Sequence, residues 1–366
     1  MPTPHYRRNP WLLMEWSDED HIVVVDSRCQ RKFRVEPPLL LLLNQMSAPT
    51  APDNLHLPGY SSEELVDLLG RMAKIGMVQP VNGRDEADRV EWTASELAVH
   101  AQTAQGGRRK PRLRDIPPAR LRHPEALTTL SLPASDHESQ PLADVLAARR
   151  SIRDFDSVPL TLTRLASFLD IAARVRGWLG PDSWQTTRRP SPSGGARHSL
   201  ELYLVVKNVE GLDPGAYHYD PFDHALEYLQ NWTAELAELQ RRLICEQMLI
   251  DTAPPVSFYL ASYFRRVQCK YGTATLSFIY RDTGCLLQTL YLVATDLGLG
   301  PCATARTETN PSPSFLRHYR DNLIHTASFA LGVPASTEPT SPEFRPLVNR
   351  QTTGTVNAPS PRMRNS

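Results

Sequence analysis

Four things are missing from this chain of 366 residues, and each absence narrows what the chain does. It has no net charge, since 40 lysines and arginines are matched by 40 aspartates and glutamates. Such a balance argues against a protein that coats nucleic acid. It has no cysteine framework: Cys29, Cys245, Cys269, Cys285 and Cys302 are odd in number and no two have Cys-x-x-Cys spacing. A disulfide scaffold or zinc site is therefore not expected, and a reducing cytosol fits. No apolar run approaches the ~20 residues of a membrane helix; "PPLLLLLNQM" is too short. "MPTPHYRRNPWLLMEWSDED" has no apolar stretch of signal-peptide length. The expectation is a soluble, cytoplasmic protein with no metal, no nucleic-acid partner and no membrane partner.

What is present points to an enzyme-sized core. Hydrophobic residues make up 41% of the chain, and its length suggests two domains. The 32 prolines gather in a linker and a tail. We divide the chain into an N-terminal unit (1–104), a basic Pro/Arg-rich linker (105–138), a main domain (139–335) and a Pro/Ser/Thr-rich tail (336–366) expected to be disordered. The linker's cluster Arg108, Arg109, Lys110, Arg112 and Arg114 reads as a solvated hinge.

In the N-terminal unit "HIVVVD" and "RKFRV" predict a hairpin turning near Ser27 and Arg28. A short helix should open on Pro37 and Pro38. Ser61 and Glu64 have capping-box spacing, Leu65, Leu68, Leu69 and Met72 share a face, and Gly76 supplies a stop. This unit resembles the winged-helix peptide-clamp domains that recognise leader peptides; a small packing or dimerisation module is the competing reading.

The main domain mixes helices ("PLADVLAARR", "TLTRLASFLDIAARV", "AELAELQRRLICEQML") with strands ("LELYLVV", "VSFYLASY", "TASFALGV") and a hairpin turning at Pro221, Phe222 and Asp223. Such an order predicts an α+β fold rather than a doubly wound sheet. Three segments carry chemistry. "AARRSIRDF" crowds Arg149, Arg150, Ser151 and Arg153, an arrangement that suits a phosphate, or plain water at a solvated helix end. "RRPSPSGGARHSLELYLVV" runs Pro192, Ser193 and Gly194 into a strand, leaving backbone N–H groups open to a flat ring or phosphate. "DLGLGPC" ends a long apolar helix on Gly298 and Gly300. Between the last two, "VQCKYG" sets Lys270 against Tyr271, which taken alone is a surface lysine beside a core tyrosine.

Together, and in this order, these segments resemble the FMN-dependent nitroreductase superfamily, and within it the SagB-type (McbC-like) dehydrogenases, over roughly residues 140–333. The resemblance implies a nitroreductase-like homodimer with FMN at the subunit interface. Arg149, Arg150, Ser151 and Arg153 would hold the phosphate and ribityl end. Pro192, Ser193, Gly194, Gly298 and Gly300 would border the isoalloxazine ring. It further implies oxidation of a thiazoline or oxazoline in a ribosomally made precursor peptide to the thiazole or oxazole, with a cyclodehydratase as an expected partner. Tyr271 would accept the Cα proton while the Lys270 ammonium favours the phenolate, or the two would exchange roles.

The chain departs from the family's pattern after the pair. Ala274 and Ser277 stand where arginines are common, and Cys285 replaces a histidine, while Gly284 and Gln288 are kept. Cys285 reads as a small core residue and Cys269 as non-nucleophilic. His198 and His218 read as hydrogen-bonded structural histidines. Two other readings stay open: a small-molecule FMN oxidoreductase using NAD(P)H, and a non-catalytic peptide-binding scaffold.

Overall fold

The computed structural model describes residues 4–16, 22–81, 93–105, 115–308 and 313–335. The tail 336–366 and the arginines of the linker cluster lie outside the described residues.

The N-terminal unit contains strands β1 (His5–Arg8), β2 (Leu12–Trp16), β3 (Ile22–Asp26) and β4 (Arg31–Val35), then helices α1 (Pro37–Gln45) and α2 (Ser62–Ile75), strand β5 (Val78–Val81) and helix α3 (Ala94–Gln105). Strands β2, β3 and β4 form an antiparallel meander, and β1 pairs with β5. The local signals hold. Pro37 and Pro38 open α1. Ser61 and Glu64 form a reciprocal capping box, and Gly76 ends α2 in the left-handed conformation at φ +85°. Leu42, Leu43, Leu65, Leu69 and Met72 meet in a core of their own. Helix α3 packs against the main domain.

The main domain continues with β6 (Thr128–Ser131), α4 (Leu142–Ala148), β7 (Leu160–Thr161), α5 (Leu162–Ala173), β8 (Gly177–Trp178), β9 (Thr187–Arg188), β10 (Leu200–Val206), β11 (Val209–Glu210), β12 (Gly215–Asp220) and β13 (Ala225–Asn231). Then come α6 (Ala234–Gln240), α7 (Glu246–Met248), β14 (Val256–Tyr263), α8 (Arg265–Tyr271), α9 (Thr275–Asp296), β15 (Gly300–Thr304) and β16 (Leu323–Gly332). Seven strands make one antiparallel sheet in the order β15-β16-β14-β10-β12-β13-β6. This is the expected α+β architecture.

Both faces of the sheet are covered, which explains why "LELYLVV" is apolar throughout instead of alternating. Leu202, Leu204 and Val206 face α5 and α9, where they meet Phe168, Leu169, Leu286 and Leu290. Tyr203 and Val205 face the other way, toward Leu236 and Leu239 of α6.

One boundary differs from the sequence reading. Thr128–Ser131 fell in the expected linker, yet it is the edge strand β6, paired with β13. Upstream, the Pro117 and Pro118 carbonyls accept hydrogen bonds from Arg197 and Arg266, and Leu121 and His123 are buried. A four-residue edge strand and single anchoring carbonyls leave no hydrophobic period to read.

Candidate active site

Helix α9 organises the site. Its buried face carries Ile279, Asp282, Thr283, Leu286, Leu290 and Val293. Near its N-terminal end lies the turn Ser193-Gly194-Gly195, and near its C-terminal end lies the Arg149–Arg153 segment.

At the turn, the Asp282 carboxylate takes three hydrogen bonds. Ser193 Oγ donates at 2.6 Å, and the Gly194 N–H donates to both carboxylate oxygens at 3.0 and 3.1 Å. Ser193 Oγ in turn accepts from the His198 N–H at 2.9 Å. Burial pushes the Asp282 carboxyl above the usual carboxylate range, opposed by the Ser193 and Gly194 bonds. Gly195, Ala196 and His198 all have positive φ, at +62°, +57° and +38°. Two of these are not glycine, so the turn is strained and held by its surroundings.

Gly195 is where the lysine and tyrosine converge. A Cβ at this position would lie 2.5 Å from Lys270 Nζ and 2.8 Å from the Tyr271 hydroxyl. A Cβ on Gly194 would meet the Phe278 ring at 2.8 Å. Lys270 and Tyr271 occupy the last turn of α8, with Lys270 half-buried and Tyr271 buried. The Tyr271 and Phe278 rings stack at a centroid distance of 4.1 Å.

At the other end of α9, Tyr291 ties the arginine segment to β15. Its hydroxyl lies 2.9 Å from Ser151 Oγ and accepts from the Ala303 N–H at 2.8 Å, while the Arg149 guanidinium sits 5.5 Å from its ring centroid. Among the described residues neither Arg149 nor Arg153 pairs with a carboxylate, so both keep charge for an anion. Gly300 packs on Ile152, and Gly298 lies near Arg164.

The structure therefore assembles the expected residues in two groups. Ser193, Gly194, Lys270 and Tyr271 come together, with Pro192 on the exposed side of the turn. Arg149, Ser151, Arg153, Gly298 and Gly300 gather at the far end of α9 and do not meet the first group within one chain; Arg150 adjoins them in sequence. Nine residues of helix, about 13 Å, separate Asp282 at the turn from Tyr291 at the arginine segment.

Sequence reasoning missed Asp282, Phe278 and Tyr291. Asp282 had left a signal, an acid in the middle of the apolar face of a long helix, four residues from Phe278 and from Leu286. Beneath the turn, Arg266 is fully buried against Glu201, and His218 bridges Glu201 (3.1 Å) and Glu227 (2.7 Å). Burial disfavours the His218 imidazolium, yet the two glutamates prevail and lift it to about 9. Glu201, whose burial acts the other way, is held at about 2 by Arg266 and His218. His123, His218 and Glu227 also approach one another closely enough to hold an ion. Each ring nitrogen of both histidines, however, already faces a hydrogen-bonding partner (Glu125 and Tyr203, Glu227 and Glu201). His198, buried with its Nε2 at 2.9 Å from the Thr187 carbonyl, is pushed down to about 3.

An antiparallel α+β fold with a strained Gly-Gly turn against a long helix defines the class, and comparison with known proteins identifies it. Residues 146–311 match the nitroreductase family model. The protein MJ1384 of Methanocaldococcus jannaschii, described as a nitroreductase, is 34% identical over 172 residues, covering 47% of this chain and 82% of its own length. The chain belongs to the nitroreductase family and is an oxidoreductase of that family.

Two curated peptide-processing proteins are more distant. The trifolitoxin-processing protein TfxB of Rhizobium leguminosarum bv. trifolii is 23% identical, covering 62% of this chain and 57% of TfxB. The microcin B17-processing protein McbC of Escherichia coli is 30% identical, covering 34% of this chain and 46% of McbC. The chain thus spans about half the length of each. A solved nitroreductase with bound FMN from Bacteroides fragilis is 16% identical with a TM-score of 0.35, covering 61% of this chain and all of that one. Family membership supports FMN as the cofactor. Among the described residues no helix is long and apolar enough to cross a membrane.

Proposed function

We propose that the chain is an FMN-dependent dehydrogenase that oxidises thiazoline or oxazoline rings in a ribosomally made precursor peptide. The convergence of Lys270 Nζ and the Tyr271 hydroxyl on Gly195, in the turn proposed to border the flavin ring, carries this reading. The residues present fit the group. Two guanidiniums without carboxylate partners suit a phosphate, and side-chain-free Gly194 and Gly195 let a flat ring approach the backbone. Bound FMN supplies the hydride-accepting chemistry. Arg149, Ser151 and Arg153 hold the phosphate end, with Arg150 nearby. Tyr271 takes up the ring proton, and Lys270 supplies positive charge beside it. The similarity to TfxB and McbC, both peptide-processing proteins, supports a peptide substrate, and a cyclodehydratase partner belongs to the same reading.

Because the two groups of site residues stay apart within one chain, the reading includes a homodimer, with each flavin drawing on both subunits. Exposed Leu142 and Leu146 on α4, and Leu276 and Tyr280 on α9, offer the apolar surface for it. The N-terminal unit holds the leader segment of the precursor by strand addition to an edge of its meander.

A second reading keeps the flavin and substitutes a small molecule and NAD(P)H. It is favoured by the higher identity to MJ1384, and by buried Ala274, which stands where the family resemblance implies an arginine.

The direct test is the purified protein, which should be yellow and release FMN on heating. Arg153→Ala should weaken FMN binding about tenfold or more, the loss of a charge-assisted contact worth roughly 1.5–3 kcal/mol. Full flavin retention in both Arg149→Ala and Arg153→Ala would remove the phosphate assignment.

A further inference from the structure

We infer that Asp282 is a positioning residue of the candidate site, the side chain that ties the Ser193-Gly194-Gly195 turn to α9 and so sets it against Lys270 and Tyr271. The inference rests on the flavin reading only for its consequence; the clamp itself is geometry. Asp282 is buried on α9, and among the described residues its carboxylate takes its hydrogen bonds from the turn: the Ser193 hydroxyl and the Gly194 N–H. Ser193 passes the constraint on by accepting the His198 N–H, which closes the turn across the strained positions Gly195, Ala196 and His198. One residue beyond Gly194, the Gly195 backbone forms the floor on which Lys270 Nζ and the Tyr271 hydroxyl rest. One helical turn before Asp282, Phe278 stacks on Tyr271 and closes over Gly194. α9 therefore holds both sides of the site from adjacent turns, the loop through Asp282 and the tyrosine through Phe278.

The carboxylate is suited to this work in a way its relatives are not. Two donors converge on it, and an acceptor-only group takes both. Asparagine in its place keeps one acceptor oxygen for the Gly194 N–H but turns a donor toward Ser193 Oγ, which already receives the His198 N–H. Alanine leaves both turn donors facing a buried void, which is the costly case.

The test uses the full-length protein, wild type and the variants Asp282→Asn, Asp282→Ala, Ser193→Ala and Ser193→Ala/Asp282→Ala, each stripped of flavin. Backbone amide exchange over residues 193–198 is measured first. FMN is then added, and affinity is read by fluorescence quenching with the visible circular dichroism of the bound flavin. Asp282→Ala should exchange faster over 193–198, bind FMN about 10–100-fold more weakly and change the dichroism band. Asp282→Asn should recover most of the affinity, and the double variant should be no worse than Asp282→Ala, because the two groups act as one. If Asp282→Ala does not fold, the exchange and dichroism of Asp282→Asn decide in the same direction with smaller shifts. Unchanged exchange over 193–198 in the Asp282 variants, or effects of Ser193 and Asp282 that simply add, overturns the clamp. Faster exchange in a protein whose wild type takes up no FMN supports the clamp and overturns the flavin reading instead.

Discussion

At the residue scale the proposed chemistry depends on two polar atoms, Lys270 Nζ and the Tyr271 hydroxyl, meeting at Gly195. Tyr271→Phe keeps the ring stacked on Phe278 and removes only the hydroxyl that faces Gly195. It should slow substrate oxidation by ~10²–10⁴, the usual worth of a general base. Lys270→Ala should cost a comparable factor, and the double variant little more than either single one. Neither should release FMN, and single-turnover rates with flavin content measure both effects. Gly195→Ala is a sharper probe of the geometry. At φ +62° any side chain is strained, and the new Cβ would displace both the amine and the hydroxyl. The variant should fail in turnover like Tyr271→Phe, and wild-type turnover would mean the pair does not work from this floor. The expected residues were legible only as a pattern: "PSPSGG" and "KYG" are short contiguous strings, each weak alone, that gained meaning from their order along the chain. Asp282, Phe278 and Tyr291 were not, since their roles arise from contacts such as Asp282 to Gly194, 88 residues apart in the chain.

At the element scale the prediction concerns where the main domain begins. β6 closes one edge of the large sheet, and the segment before it supplies the Pro117 and Pro118 carbonyls to Arg197 and Arg266. Arg266 is fully buried, and losing an acceptor there leaves a charged donor unmet, a cost of several kcal/mol. A truncation that starts at residue 93, which keeps α3 on the main domain, should therefore fold and keep its flavin, whereas one that starts at 139 should lose thermal stability or fail to fold. Equal melting temperatures for the two would contradict the role given to 115–131. If the strands and helices before α3 are the leader clamp, the truncation at 93 should also bind full-length precursor more weakly while oxidising a leaderless substrate normally. Elements with local signals, such as α2 with its cap and glycine stop, or β10 with its unbroken apolar run, were readable from sequence. β6 was not, because four residues paired on one side carry neither period nor cap.

At the scale of the whole molecule, the buried histidines make stability depend on pH on both sides of neutrality. His218 is raised from 6.5 to about 9, so its contribution is complete below 6.5 and is lost as pH rises through about 9. His198 and His325, lowered to about 3 and about 4, act oppositely: they stabilise the fold as neutral rings and cost stability as pH falls below 6.5. Glu201, at about 2 against 4.5, adds to the acid loss below 4.5. The melting temperature should therefore peak near pH 6.5 and fall toward pH 9, with His218 responsible for on the order of 3 kcal/mol of the alkaline loss. His218→Gln, less stable at neutrality, should show a flatter alkaline limb; an unchanged limb would assign that loss to other groups.

The central claim, that a flavin site built around Lys270 and Tyr271 oxidises azoline rings in a peptide, meets its most direct test in one experiment. FMN-loaded protein is mixed anaerobically with a leader-bearing peptide carrying a thiazoline or oxazoline, and the oxidised-flavin absorbance is followed through a single turnover. The absorbance should bleach as the ring becomes aromatic, at a rate that falls ~10²–10⁴ in Tyr271→Phe with the flavin still bound. Flavin that stays oxidised with the peptide but bleaches at once with NAD(P)H would contradict it and make the protein a small-molecule reductase.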